Sequence, residues 1–363
     1  MKRWHAPLAA LGIVAAPSVF AQSSVTLYGI LDSAIQYANT GGKTTVRQDS
    51  SSVAPTRWGL IGTEDLGGGY AAVFKLENGF NLNNGTISGN GALFNREAWV
   101  GIRGPFGQIQ LGNNYTPLFT TYASYSLGSL NTLGWGNAAN NYVFVPAART
   151  ANSVRYVSPT IAGLTLRALY ARGTNGASGA PPTLGDTASV GLNFKTGAFS
   201  ADADYLQQRF APTASVTAAT GVSTGRYYLF AAKYTFEYVT PAVLYEIHRN
   251  GGGVSSAISG SYASPSHDFY EVNALIHKIG WASSVLVSFG QYFLKSNGNG
   301  DSTSYGLRYE YQLSKRTGVY LGFAEVRNHS KASFTVSNAG GPGIAVAAGQ
   351  NITAGIAGIV HKF

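Results

Sequence analysis

Beyond residue 22 the hydrophobic and polar positions of this chain alternate with a period of two. Thr303, Tyr305, Leu307, Tyr309, Tyr311 and Leu313 form one face of a segment whose other face is Ser304, Gly306, Arg308, Glu310 and Gln312. Tyr228, Phe230, Ala232, Tyr234 and Phe236 stand in the same way against Lys233, Thr235 and Glu237. Tyr270, Val272, Ala274 and Ile276 repeat it against Glu271, Asn273 and His277, and Val285, Val287 and Phe289 against Ser284 and Ser288. Successive side chains of a strand point to opposite faces, so the pattern predicts half-covered β-strands. Many of them extend to 10 or more residues. Strands of globular proteins average about 5–6, which weighs against a soluble sandwich.

The connections alternate in length as well. Short ones fall at Asp65–Gly69, Arg103–Phe106, Ser158–Ala162, Lys195–Ala198, Glu237–Pro241, Lys278–Ala282 and Leu313–Thr317. Long ones run roughly 38–55, 81–92, 114–151, 173–186, 210–225, 249–267, 296–301 and 329–349. Seven short turns and eight long loops require sixteen strands, with both termini on the short-turn side. The expectation is an all-β, antiparallel transmembrane barrel of about sixteen strands with long outer loops. It has to close, because lipid cannot satisfy the open edge of a sheet. The long loops are rich in Gly, Ser, Asn and Thr and read as solvated. The barrel is expected to occupy residues 22–363 as one domain.

The first residues are read separately. Lys2 and Arg3 precede an apolar stretch from Pro7 to Phe20, and Val19-Phe20-Ala21 has the form of a cleavage site. This is the layout of a secretory signal peptide, residues 1–21, removed after Ala21. The apolar stretch is too short to span a bilayer at 1.5 Å rise per residue, and Pro7 and Pro17 interrupt it.

Composition agrees with an export route and a wet interior. Charged residues make up 11% of the chain and mean hydropathy is +0.01, whereas soluble domains carry about 25% charged residues. Averaging lipid-facing with water-facing positions yields such values. There is no cysteine, hence no disulfide framework and no thiolate chemistry. Without Lys2 and Arg3 the 25 basic residues fall to 23 against 16 acidic ones, a net +7. These residues are dispersed rather than clustered, so nucleic acid is not an expected partner.

Motifs for chemistry are missing. The six histidines include no H-E-x-x-H pair, and Gly67-Gly68-Gly69 lacks a following Lys-Ser/Thr. Asn84-Gly85-Thr86 matches a glycosylation sequon but reads as a loop, and no G-x-S-x-G elbow occurs. The chain is expected to be no enzyme and to need no cofactor or metal. A barrel enzyme such as a phospholipase, with a Ser–His–acid site assembled across strands, is the distant alternative.

Cations carry more information. Arg57, Arg96 and Arg155 lie on predicted strands running the same way. Alternate strands are about 10 Å apart, twice the ~4.8 Å spacing, so the three line one wall as a ladder of charge. Around Arg96 the alternation is muddy, with Asn95 and Glu97 on the other face. The segment Asn114–Ala151 contains no Asp or Glu and a single charge, Arg149. It is too long for an ordinary hairpin loop. Folded inward, it narrows the passage, and a narrow low-dielectric passage focuses the field of its wall charges. Basic side chains there favour anions. In the competing reading the arginines pair with Glu77, Asp32 or other interior acids and hold the barrel together. At the other end, Phe363 shares a face with Ile359 and Ala357. It is expected at the periplasmic boundary with Trp281, Tyr311 and Tyr238, where amphipathic rings concentrate.

Several segments together resemble the general porins of β-proteobacteria: Gln22–Asp32, Arg57–Gly67, Phe74–Phe80, Asn95–Gly101, Asn152–Pro159 and the terminal His361-Lys362-Phe363. The resemblance spans the chain. It implies a homotrimer of sixteen-stranded barrels in the outer membrane, each constricted by its third outer loop, to which Tyr115, Pro117 and Trp135 belong. It implies that Arg57, Arg96 and Arg155, with Arg149 and Glu77, lie at the constriction, and that Phe363 is the closing residue read by the barrel-assembly machinery. Ions and small hydrophilic solutes, outer-membrane lipid and lipopolysaccharide are the implied partners. Two departures, Asn113 and Ile61 at positions where the family often has a basic residue, lower the interior charge and point to weak anion preference. A substrate-specific channel is the second reading; an adhesin or autotransporter is disfavoured by the lack of a passenger segment.

Overall fold

The computed structural model describes residues 24–89, 91–142, 148–173, 183–210, 222–250, 266–280, 282–295, 298–341 and 343–363. The signal-peptide reading and Trp281 lie outside them. Among the described residues one antiparallel sheet comprises β1 (Ser24–Thr40), β2 (Lys43–Ser50), β3 (Arg57–Gly67), β4 (Tyr70–Gly79), β5 (Glu97–Gly104), β6 (Gly107–Tyr115), β7 (Arg149–Val157), β8 (Leu164–Ala171), β9 (Thr187–Thr196), β10 (Phe199–Phe210), β11 (Ser223–Tyr234), β12 (Val239–Arg249), β13 (His267–Ile279), β14 (Ser283–Leu294), β15 (Ser302–Gln312), β16 (Thr317–Asn328) and β17 (Ile352–Lys362). The sheet closes where β1 meets β17, from Ile30 opposite Lys362 to Thr40 opposite Ile352. Phe363 completes the seam by exchanging both backbone hydrogen bonds with Gly29, each 3.1 Å.

The barrel has sixteen positions, because β2 and β3 share one. The lower part of β1 pairs with β3 and the upper part with β2. Between them residues 51–56 leave the wall. The buried carboxylate of Asp32 draws them inward, accepting hydrogen bonds from the N–H groups of Val53 (2.6 Å) and Ala54 (2.7 Å), and Pro55 has no N–H to give a ladder. The expected loop at 38–55 is therefore mostly strand. Gly41 and Gly42, both with positive φ (54° and 83°), form a two-residue hairpin turn of the kind that suits strand twist. A Gly- and Thr-rich stretch reads as a loop from composition, yet here it extends the wall.

Burial is inverted relative to a water-soluble protein. Along β15, Tyr305, Leu307, Tyr309 and Tyr311 are exposed, while Ser304, Arg308 and Glu310 are buried. Leu307 is 49% exposed and Arg308 0%. Apolar residues outside and ionised residues inside make sense only if lipid bathes the outer face. Exposed aromatics gather near the short turns, including Tyr70, Phe106, Phe236, Tyr238, Tyr311 and Phe363. This is where a membrane boundary would place amphipathic rings.

Two long connections fold into the barrel. Residues 116–142 carry α1 (Pro117–Tyr125) and α2 (Ala138–Tyr142), which pack on β8–β12 and on β13–β15 respectively. The connection after β16 also enters: Ala332, Phe334 and Val336 join the buried interior cluster, Phe334 against Tyr142 and Tyr292. The expectation that the 329–349 loop is solvated thus fails for its first half, whose apolar residues alternate with polar ones and find an apolar patch of the interior.

Candidate functional site

The inward faces of β3, β4 and β5 build a charged wall. Gly59 lies opposite Glu77 on the neighbouring strand and Ile61 opposite Lys75. Glu77 in turn lies opposite Glu97, and Lys75 opposite Trp99. Glu77 is the hub. It accepts hydrogen bonds from the Tyr28 hydroxyl (2.7 Å) and from Arg96 Nε (2.6 Å). Arg57 Nε stands 3.4 Å and Lys75 Nζ 3.6 Å from the same carboxylate. Lys75 also pairs with Glu97, which takes the Trp99 indole N–H at 3.1 Å.

Tyr115 connects this wall to the loop. Its hydroxyl accepts from Arg96 Nη2 (2.8 Å) and from Arg149. The Arg149 guanidinium lies 4.3 Å over the Tyr115 ring, a cation–π contact. The ring's other neighbour is Phe119 of α1, stacked at 5.2 Å with 4° between planes. Facing the wall across a cavity of about 250 Å³ are Phe119, Thr120, Ala123, Asn131, Thr132 and Leu133. Four cations (Arg57, Lys75, Arg96, Arg149) therefore meet two carboxylates (Glu77, Glu97) opposite a lining without charge.

The acids that could neutralise the passage stand behind the loop. Glu310 accepts from the N–H groups of Ser129 (2.6 Å) and Leu130 (3.0 Å) and pairs with Arg308 at 2.6 Å. Arg308 also donates to the carbonyl of Trp135. Glu271 accepts from the Ala139 N–H (3.0 Å) and the Ser126 hydroxyl (2.9 Å). Glu246 takes the Tyr122 hydroxyl and Asp202 the Tyr125 hydroxyl. Each of these four buried carboxylates accepts from a donor of the loop, as burial demands.

Glycines on the inner wall make room for the loop. A Cβ on Gly306 would lie 1.8 Å from the Gly136 carbonyl oxygen, and one on Gly290 2.6 Å from the Cβ of Ala138. Gly306→Ala should therefore push the loop off β15 toward the cationic wall, at an overpacking cost of about 1–3 kcal/mol. The expected result is lower single-channel conductance with a lower melting temperature. Wild-type values for both would disprove the seat.

Tyr115, Arg57, Arg96, Arg149 and Glu77 thus converge. Arg155 does not join them. Its guanidinium donates to Gln110 at 2.9 Å, and it lines a separate recess at the short-turn mouth with Arg103, Gly107 and Ser158. It lies near the short-turn end of β7, whereas Arg57 begins β3 at the end far from its turn. Trp135 is wholly buried behind the loop, its ring filling the space beside Gly322. Pro117 opens α1, where its missing N–H costs nothing, and is buried rather than pore-lining. Phe363 belongs to the seam.

Arg96 departs from its expected place on a strand. It precedes β5 at a bend, because Asn95 replaces the ladder: its side chain accepts from the Gly79 N–H (2.7 Å) and donates to the Gly79 carbonyl (3.1 Å). Arg96 and Glu97 consequently both face inward, which is why the alternation there is muddy. Lys75 and Glu97 were not expected at the site. Lys75 was legible, two residues from Glu77 on one strand; Glu97 was hidden by the bend.

The sequence matches the Gram-negative porin family model over residues 8–331. It is 30% identical to an outer membrane porin protein of Bordetella pertussis, over 89% of this chain and 94% of that one. It is 29% identical to outer membrane porin protein 32 of Delftia acidovorans, over 98% and 99%. Among solved structures, the anion-selective porin from Comamonas acidovorans superposes with a TM-score of 0.77 at 25% identity, covering 94% of this chain and all of that one.

Proposed function

Because the chain belongs to the Gram-negative porin family and is an outer-membrane channel, we propose that its constriction passes small hydrophilic solutes passively and favours anions weakly. The observation that carries this is the excess of two positive charges around Glu77, set opposite an uncharged loop surface. An ion squeezed between them loses part of its water, so unpaired wall charge acts on it at short range. The preference is modest because Glu77 and Glu97 remain and because Ile61, not a cation, faces Lys75. The competing reading, arginines as structural glue, accounts for Arg57 and Arg96 in part, since both touch Glu77. It does not account for Arg149, whose charge, among the described residues, meets the Tyr115 ring and hydroxyl and no carboxylate.

No covalent chemistry belongs to this proposal. A homotrimer, contact with outer-membrane lipid and lipopolysaccharide, and insertion by the barrel-assembly machinery that reads Phe363 complete it. The test is a planar bilayer with a potassium chloride gradient. Zero-current potentials of the sign set by chloride are expected, with closure in three equal steps. A potential of the potassium sign would reject anion preference, and single-step closure would reject the trimer.

A further inference from the structure

The loop side of the constriction is more than uncharged: it is apolar. Helix α1 buries Leu118, Thr121, Tyr122 and Tyr125 and turns Phe119 and Ala123, one helical turn apart, to the cavity, where Leu133 joins them. The polar groups beside them are spent on backbone. The Thr120 hydroxyl donates to the Thr116 carbonyl (3.0 Å), and the Asn131 amide donates to the carbonyls of Val53 (3.2 Å) and Thr132 (2.7 Å). Leu133 is held at a φ of 50°, a left-handed conformation uncommon for a bulky residue. Its N–H is fixed on the Ser126 carbonyl (2.9 Å), and the next one, of Gly134, on the Asn137 side chain (3.1 Å). Strain of this kind persists where the surrounding structure imposes it, and it clusters where ligands are held.

Water against an apolar face is poorly bonded, and a solute with an apolar body gains by displacing it. The other side offers a charge that lacks an answer. Among the described residues Arg149 meets no carboxylate, and its Nε has no hydrogen-bond partner. A guanidinium is a planar fork that one carboxylate matches with two hydrogen bonds. The Tyr115 ring ties the two sides together, with the Arg149 guanidinium at 4.3 Å and the Phe119 ring stacked at 5.2 Å. A place for one carboxylate therefore adjoins aromatic carbon, against which a flat ring packs favourably. An inorganic anion uses only the first half of this arrangement, and a neutral aromatic only the second.

We infer that the constriction is a binding site for aromatic monocarboxylates, with the carboxylate on Arg149 and the ring against Phe119 and Ala123. The inference rests on reading this cavity as an anion-preferring constriction. The full-length protein is placed in planar bilayers in potassium chloride at neutral pH. Benzoate, lactate (a hydrophilic monocarboxylate of the same charge) or benzyl alcohol is then added. Benzoate should block the current saturably, with half-saturation at a concentration at least fivefold below that of lactate, and benzyl alcohol should leave the current as it was. Phe119→Ser should raise the half-saturating benzoate concentration at least fivefold and that of lactate far less, whereas Arg149→Gln should raise both. Should Phe119→Ser not insert, Ala123→Asn, which sets an amide on the same helix face, is read in its place. Equal half-saturation by benzoate and lactate would overturn the inference. So would block by benzyl alcohol as strong as by benzoate, or a benzoate block that the helix variant leaves unchanged. The zero-current potential of the same wild-type membranes separates the two readings. A chloride sign without benzoate preference removes the aromatic site alone, and a potassium sign removes the anion preference beneath it.

Discussion

Replacing Arg57, Arg96 and Arg149 together by Gln should turn the channel from anion-preferring to cation-preferring. The triple variant leaves Lys75 against Glu77 and Glu97, so the excess of two positive charges becomes one negative charge. At about 6 Å a unit charge acts on a passing ion with about 0.7 kcal/mol in bulk water and about 3 kcal/mol at the dielectric of a protein surface. Three such changes exceed the ~1.4 kcal/mol that alters a ratio tenfold. The zero-current potential across a potassium chloride gradient should therefore change sign, most clearly at low salt, where the Debye length is longest. Arg155→Gln is the internal comparison. Its side chain lies at the short-turn mouth, bonded to Gln110, and its loss should move the potential far less. A shift from Arg155→Gln as large as that of the triple variant would mean that the mouth, not the Glu77 cluster, sets ion preference.

Glu310→Ala should release the constriction loop. The Glu310 carboxylate holds the N–H groups of Ser129 and Leu130, and its partner Arg308 holds the carbonyl of Trp135. Removing the carboxylate strands a guanidinium that is 0% exposed and leaves loop donors unmet. Breaking one side of a buried pair costs about 3–5 kcal/mol. The loop between α1 and α2 then loses its hold on β15, and the channel should show larger, noisier conductance and a lower melting temperature. Arg308→Met/Glu310→Leu, which removes both charges and keeps volume, should melt closer to wild type but still conduct noisily, because the loop donors remain unanswered. Quiet wild-type openings in both variants would show that Asp202, Glu246 and Glu271 suffice to hold the loop.

The two experiments separate roles that one charge pattern combines. Interior carboxylates stand behind the loop and bond it to the wall; interior cations opposite remain partly unbalanced. Neither set is visible as such in a list of charged residues. Arg308 and Arg57 are both inward-facing arginines on strands, yet one is spent on the Trp135 carbonyl and the other borders water.

Much of the wall was legible in advance. Period-two alternation in β11, β13, β14 and β15 assigned each residue to lipid or interior, because a strand has only two faces. The short turns, such as Arg103–Phe106 and Leu313–Thr317, and the placement of both termini followed from the spacing of those strands. So did the inward set of Arg57 and Glu77. Alternation has no power where the ladder breaks: at Asn95, whose amide imitates a backbone group, and at residues 51–56, which leave the wall for Asp32. Nor does it rank heights around the cylinder, which is why Arg155 fell away from the others.

What the linear chain determined by itself is therefore the cylinder: strand number, inside and outside, and an uncharged loop long enough to enter it. These depend on interactions between near neighbours, on hairpin pairing and on the simple rule that lipid rejects unpaired backbone. Only the folded barrel decided which inward charges meet. Glu77 gathers Tyr28, Arg57 and Arg96 from segments as many as 49 residues apart, and Ser129 reaches Glu310 across 181 residues. Such encounters are set by barrel stagger and by the path of a loop that folds back through the interior, and no local period encodes either.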